Sequence, residues 1–327
     1  MILRLYKSIQ PFVLFLILFT GILYWLKAIL SPEQVSFAFD TYTMPFYTPF
    51  SDFFHKWQLL SVITGFAMTL LIAILMVRLN TTYFFIEQRS NLPALFFILC
   101  TGIFVPLQRL SPVLPAMVFL LIAIDRMFKT YKYSGTSFRY FDAGILIGLG
   151  CLFYIHLMFY LPVLWIGLII LRSFNWREWI VTIIGFLIPF IFTLVIYFLA
   201  GADIVRFFDT IRINIIHPYN YAGFNIYDLI FFSFLGFLIL VFSIHMISAY
   251  SKKKISSRKY LDIMLWIFII TLIVYFFVPS ASVELILILF VPLSYLFTHF
   301  FVSMRSVWIG DIFLVLYMAG IVVVQVL

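Results

Sequence analysis

Residues 58–79 read QLLSVITGFAMTLLIAILMVRL, and Arg78 is the one charged side chain among these 22 residues. A helix rises about 1.5 Å per residue, so about 20 apolar residues cross the hydrocarbon core of a bilayer. The run is apolar all round, whereas the strands of a transmembrane barrel alternate apolar and polar side chains. The segment therefore predicts a membrane-spanning helix.

The composition of the whole chain extends this prediction. Of its 327 residues, 65% are hydrophobic, 10% are charged and 42 are phenylalanine. Soluble globular domains are about 45–50% apolar and about 25% charged. These values exclude a soluble enzyme, a disordered chain, a coiled coil and a nucleic-acid-binding module, so we expect no nucleic acid among the partners. They predict an all-α polytopic transmembrane helix bundle that forms a single integral membrane domain over residues 1–327.

Applied along the chain, the same length criterion predicts about eleven membrane segments, with nine as the lower bound. The segments are 10–30, 58–79, 92–108, 111–126, 142–158, 160–172, 179–200, 226–248, 260–278, 283–303 and 307–326. Some of them are short or broken, since the apolar stretch 113–124 has only 12 residues. Pro162 interrupts 142–172, which is either two crossings or one re-entrant pair.

The distribution of lysine and arginine predicts how the chain is oriented. If every segment crosses, 16 of the 21 basic residues fall on the side of the N-terminus and five on the opposite side. Basic residues accumulate on the cytoplasmic side of membrane proteins. We therefore expect a cytoplasmic N-terminus, a cytoplasmic polybasic loop at 251–259, and two long outer loops at 31–57 and 201–225. The polybasic loop either binds anionic lipid headgroups or reflects topology alone.

The outer loop 31–57 combines aromatic residues with acidic ones, which predicts a segment that lies in the headgroup region. Asp40 closely follows Phe37 and Phe39. A poorly hydrated acid at the outer surface suits general-base work or cation binding, so Asp40 is a candidate catalytic base. Alternatively, Asp40 caps a short helix, which is the role expected for Asp52 in the same loop.

The outer loop 201–225 is predicted to contain an amphipathic interfacial helix over residues 203–216. Arg212 projects from its apolar face, where a guanidinium either reaches to the lipid headgroups or contacts a phosphate. His217 follows the helix and is either a ligand contact or only an interfacial polar group. Arg212 and His217 are therefore candidate substrate-binding residues.

Two further charged residues are candidates for substrate binding. Arg109 precedes a tight Ser-Pro hairpin on the outer side, and Glu284 opens the segment 283–303. Ionisable groups at membrane depth are functional candidates, although both positions lie near an interface, where their energetic cost is small. No spacing typical of a metal site occurs in the sequence. We therefore expect no metal site and no cofactor, with a divalent cation as an open alternative.

The order of these features resembles the GT-C superfamily of integral membrane glycosyltransferases over roughly residues 1–200. One span, an outer aromatic loop with an acid, and a second span come first. Short helices follow, with the stretches FDAGILIGLG at 141–150, LPVLW at 161–165 and WREW at 176–179. The chain also resembles an uncharacterised bacterial family of Phe-rich polytopic inner-membrane proteins.

The first resemblance implies a sugar donor linked to polyprenyl phosphate, used at the periplasmic face of the bacterial inner membrane. Asp40 would then be the loop acid, and Arg109 and Arg212 would be phosphate partners. The first loop is short for the superfamily, and its adjacent acidic pair and large C-terminal periplasmic domain are missing here. The chain is thus either a minimal enzyme of this type or a non-catalytic relative.

Three functions remain as alternatives at this point: a lipid-linked glycosyltransferase, a non-enzymatic scaffold or partner subunit of an envelope complex, and a transporter of small molecules or lipids. Membrane lipids are expected partners in each case, and the enzyme would add a polyprenyl-linked donor. The sequence predicts no particular protein partner. An outward cavity lined by Asp40 and Arg212 would favour the enzyme, whereas a filled bundle would favour the scaffold.

Overall fold

The computed structural model contains helices and no strand among the residues that it describes. These residues are 6–7, 10–32, 37, 40, 42–86, 89–133, 137–172, 175–217, 226–250, 253–281, 283–304 and 307–326. Parts of the predicted loops 31–57, 201–225 and 251–259 lie outside them.

Thirteen α-helices lie within the described residues. They are α1 (Pro11–Leu30), α2 (Thr48–Lys56), α3 (Gln58–Tyr83), α4 (Leu92–Thr101), α5 (Val113–Phe128), α6 (Ser137–Phe153), α7 (Leu161–Leu171), α8 (Trp176–Leu199), α9 (Ile204–Ile216), α10 (Ile226–Tyr250), α11 (Ile255–Phe277), α12 (Ile286–Ser303) and α13 (Val307–Val326). Short 3-10 helices at Val105–Leu107, Ile155–Tyr160 and Val283–Leu285 precede α5, α7 and α12.

Seven of these helices are long and apolar enough to cross a membrane, by length and composition: α1, α3, α8, α10, α11, α12 and α13. The predicted segments 92–108, 111–126, 142–158 and 160–172 instead hold the helices α4 to α7, which have 10 to 17 residues. At about 1.5 Å per residue, α4 covers about half of a bilayer core. The all-helical fold is confirmed, but the predicted number of about eleven spans is not.

The short helix α4 lies inside the bundle. Each of its residues is buried, and it packs against α12, α3 and α1. Phe96 of α4 stacks on Phe301 of α12 with ring centroids 4.9 Å apart. The long helix α8 instead exposes apolar side chains such as Ile191 and Phe192. Exposed apolar side chains along a long helix are typical of a surface that faces lipid.

Helices α6 and α8 pack backbone against backbone at glycines. A Cβ atom added at Gly144 of α6 would lie 2.3 Å from the carbonyl oxygen of Thr182. A Cβ atom added at Gly185 of α8 would lie 2.4 Å from the carbonyl oxygen of Phe141. Any larger side chain would force the two helices apart, so these glycines permit the close crossing.

Helices α6 and α7 are joined at the break that Pro162 predicts. Helix α6 ends at Phe153, and α7 begins at Leu161 with Pro162 in its first turn. Proline suits this position because the first N–H groups of a helix have no partner within it. The connection between the two helices places Tyr154 beside Glu284 and His156 beside Ser280.

Candidate functional site

Asp40 and Arg109 form an ion pair between the loop after α1 and the loop before α5. Nη2 of Arg109 donates to Oδ2 of Asp40, and the side chains of Arg109 and Asp40 are 22% and 25% exposed. The guanidinium lies 5.2 Å from the centre of the buried Phe37 ring. The fold thus brings two predicted site residues together in one place, which we term the Asp40–Arg109 pair.

The backbone of Phe37 bears on the two roles considered for Asp40. The Phe37 N–H donates to Asp40 Oδ2 over 2.9 Å. An acid at the third position of a helix makes the same kind of bond to the N–H of the N-cap residue. The hydrogen bond from Phe37 and the ion pair with Arg109 share one carboxylate oxygen. The helix cap predicted at Asp52 is wrong, because Asp52 is exposed within α2, whose N-cap residue is Tyr47.

Three contacts fix the backbone that carries Arg109. The Leu110 N–H donates to the Ser61 carbonyl over 2.9 Å, and the Tyr47 hydroxyl donates to the Leu110 carbonyl over 2.9 Å. A Cβ atom added at Gly65 of α3 would lie 2.5 Å from the carbonyl carbon of Arg109, so the loop approaches α3 at its glycine. Burial raises the pKa of Tyr47, and its hydroxyl therefore keeps the proton that it donates.

An apolar groove adjoins the loop of Arg109. It has a volume of about 220 Å³, and its lining includes Tyr47 and Leu110, the same residues whose hydrogen bond holds the loop. Its other lining residues are Phe50, Met68, Leu71, Pro115, Val118, Phe119 and Phe153. The groove therefore offers hydrocarbon contacts next to a charged pair.

Arg212 lies on the exposed side of α9, with Phe208 and Ile216 one turn away on either side. The buried or partly buried side of this helix includes Phe207, Ile211 and Ile215. The ion pairs seen among the described residues do not include Arg212. The helix predicted at 203–216 is thus present, and Arg212 lies between two exposed apolar side chains.

His217 connects the two loops predicted to lie outside the membrane. It directly follows α9, and its N–H donates to the carbonyl of Ile213 over 2.9 Å. The centre of its ring lies 5.5 Å from the ring centre of Tyr42. Since Tyr42 is two residues from Asp40, His217 reaches the loop of the acid through an aromatic contact.

Glu284 belongs to a buried polar cluster with Tyr154, His156 and Ser280. It is 1% exposed, and the Tyr154 hydroxyl donates to its Oε1 over 3.3 Å. In the same cluster, His156 Nε2 lies 2.9 Å from Ser280 Oγ, and the Ser280 hydroxyl donates to the Ile215 carbonyl over 2.7 Å. Glu284 is therefore internal to the structure rather than part of the Asp40–Arg109 pair.

Sequence reasoning missed Tyr47, Ser61 and Tyr154. A serine or tyrosine within an apolar run indicates a hydrogen bond, because buried polar groups nearly always have partners. The partner, however, is set by the fold.

Over the part of the chain that the structure describes, no three His, Cys, Asp or Glu side chains lie close enough together to hold a metal ion.

The described part of the chain is all-helical, and its seven long apolar helices are compatible with an integral membrane protein. The chain belongs to DUF6427, a family of unknown function, whose model matches residues 25–326. No curated protein and no solved structure matches the chain.

Proposed function

We propose that the protein is a GT-C-like glycosyltransferase that uses a polyprenyl-phosphate-linked sugar at the outer face of the bacterial inner membrane. One observation carries this proposal. The Asp40–Arg109 pair adjoins the 220 Å³ apolar groove. Tyr47 and Leu110 line this groove, and the hydrogen bond between them holds the loop that carries Arg109. A lipid-linked donor has the same two parts, a hydrocarbon chain joined to a phosphate.

In this proposal the groove holds part of the polyprenyl chain and Arg109 binds the phosphate. A guanidinium suits that role because its planar fork matches two phosphate oxygens. The phosphate then competes with Asp40 for Arg109 and frees the carboxylate. As the acceptor hydroxyl forms its bond to the anomeric carbon, the bond from that carbon to the phosphate oxygen breaks. Asp40 takes the hydroxyl proton, and polyprenyl phosphate leaves with the electron pair.

The same proposal sets the topology. The four short helices α4 to α7 would cross together with the seven long ones, which gives eleven crossings, and the N-terminus would lie in the cytoplasm as the basic residues predict. Short helices at membrane depth are tolerated where protein surrounds them, and α4 is buried throughout. Arg212 would reach the headgroups from the exposed side of α9, which leaves Arg109 as the phosphate partner.

A non-enzymatic scaffold is the second candidate, and two observations favour it. Helix α4 fills the interior of the bundle, and neither of the two cavities described is lined by Asp40 or Arg212. A bundle filled in this way would present its surface to partner proteins rather than process a substrate.

The test compares lipid-linked sugars extracted from cells that carry the wild-type protein, no protein, Asp40→Asn or Asp52→Asn. Asp52 is the matched control, since it is an exposed acid of the same outer loop. We expect one polyprenyl-phosphate-linked sugar to accumulate both without the protein and with Asp40→Asn, while Asp52→Asn resembles the wild type. Immunoblots of the membrane fraction establish that each variant is present.

Identical lipid profiles with and without the protein would overturn the enzyme proposal. A wild-type profile for Asp40→Asn would also overturn it, because Asp40 is its only proposed base. In either case, crosslinking the intact cells and identifying proteins bound to the wild-type chain would test the scaffold directly.

A further inference from the structure

A second crevice lies between α10, α11 and α12, away from the groove beside Arg109. Its volume is about 380 Å³, larger than that of the outer groove. Its walls are mostly apolar and include Met246, Leu265, Phe268 and Pro292. All three helices are long and apolar enough to cross a membrane. Hydrocarbon is therefore the natural occupant of this space.

The crevice has one polar corner, where α10 ends and α11 begins. The Tyr250 hydroxyl lies 2.8 Å from both carboxylate oxygens of Asp262, to which it donates, and both residues line the crevice. The Arg258 guanidinium lies 5.7 Å from the centre of the Tyr250 ring. The Asp262 carboxylate thus accepts a hydrogen bond, and a cation lies over the ring of its donor.

Two basic residues lie near this corner. Lys254 is exposed directly before α11, and Arg258 lies beside the Tyr250 ring. Helix α11 begins at Ile255, directly after Lys254, so the unpaired N–H groups of its first turn lie in the same region. Each basic residue near a membrane surface attracts anionic lipid, and a helix N-terminus favours a phosphate further.

We propose that this crevice binds one anionic glycerophospholipid. An acyl chain lies between α10, α11 and α12, and the phosphate lies at the α11 N-terminus, near Arg258 and Lys254. The apolar walls select a lipid over a soluble phosphate, and Lys254 and Arg258 select an anionic headgroup. The crevice shares no lining residue with the groove beside Arg109, so it is separate from the proposed donor site.

The test is native mass spectrometry of the purified full chain in detergent, titrated with phosphatidylglycerol or with phosphatidylcholine of the same acyl chains. We expect tighter binding of phosphatidylglycerol. Arg258→Gln and Lys254→Gln should each weaken this binding about fivefold. Each basic residue near an anionic membrane surface contributes about 1 kcal/mol, which corresponds to about fivefold in the dissociation constant. Arg177→Gln is the matched control, because it removes an exposed arginine from the first turn of another spanning helix, α8.

A crevice-filling variant tests the acyl chain. Ser243→Phe should abolish binding of both lipids, because Ser243 lines the crevice. Leu265→Trp, at a half-exposed lining position, provides a second version should Ser243→Phe not fold. Equal binding of the two lipids to the wild type would overturn the headgroup assignment, and unchanged binding in a folded filling variant would overturn the crevice. Neither result bears on Asp40 or on the polyprenyl-linked donor, whose own test uses lipid-linked sugars.

Discussion

Asp40 and Arg109 stand 69 residues apart in the chain, and their ion pair joins the loop after α1 to the loop before α5. Exposed ion pairs contribute about 0–1 kcal/mol, whereas breaking a buried pair costs about 3–5 kcal/mol. With about a quarter of each side chain exposed, this pair lies between the two cases. Loss of either charge should therefore weaken the connection between the loops without unfolding the bundle.

Reversal of the pair separates its structural role from its chemical role. Asp40→Arg and Arg109→Asp should each lower the amount of protein in the membrane, because each places like charges together. The double variant Asp40→Arg/Arg109→Asp should restore that amount but not the lipid-linked sugar profile, since the acid no longer lies in the first loop. Immunoblots and lipid extraction measure the two effects. A double variant with wild-type lipid profile would show that the pair is structural.

Gly65 should control the position of Arg109. Gly65→Val places side-chain atoms where the Arg109 backbone lies, and overpacking of this kind costs about 1–3 kcal/mol. We expect a lower melting temperature in detergent and the same lipid profile as Asp40→Asn. Ala67→Val is the control, because Ala67 is exposed two residues along the same helix. A similar melting temperature for both variants would mean that the loop moves aside without cost.

The lengths of the apolar runs predicted the long helices and indicated that other segments are short, but they did not predict that a short helix such as α4 lies inside the bundle. The predicted segment 92–108 is interrupted, since α4 ends at Thr101 and a 3-10 helix forms at Val105–Leu107. Gly102 and Pro106 punctuate this run in the sequence. A count of apolar residues cannot distinguish a short helix inside the protein from a span that faces lipid, because both are apolar all round.

The sequence predicted Asp40 and Arg109 as candidate site residues, but it did not predict that they pair with each other. Asp40 and Arg109 were selected separately, as a loop acid and as a charge near an interface. Their contact depends on Gly65 and Tyr47, which place the Arg109 loop and carry no charge of their own. Glu284 was selected for the same reason as Arg109, but the fold buries it beside Tyr154. Arg109 and Glu284 differ in how much of each side chain is exposed, and this exposure depends on long-range packing.

Cysteine labelling tests the orientation that the basic residues predict. Ala202→Cys follows the end of α8 on the proposed outer side, and Lys254→Cys precedes α11 on the proposed inner side; both positions are exposed. A membrane-impermeant maleimide added to intact cells should modify the first and not the second. Cys100 and Cys151 are buried and should give little background. Labelling of Lys254→Cys from outside would invert the topology.

The close crossing of α6 and α8 should be the least tolerant of added volume. Gly144→Leu would place a side chain against the Thr182 carbonyl, which belongs to the backbone and cannot move without shifting α8. We expect a loss of at least the about 1–3 kcal/mol typical of overpacking, seen as a lower melting temperature in detergent. Gly236→Leu is the matched control on α10, where an added Cβ meets no atom within 4 Å. Since leucine favours a helix more than glycine does, Gly236→Leu should melt at or above the wild-type temperature. If Gly144→Leu were as stable as Gly236→Leu, the two helices would not be held by their glycines.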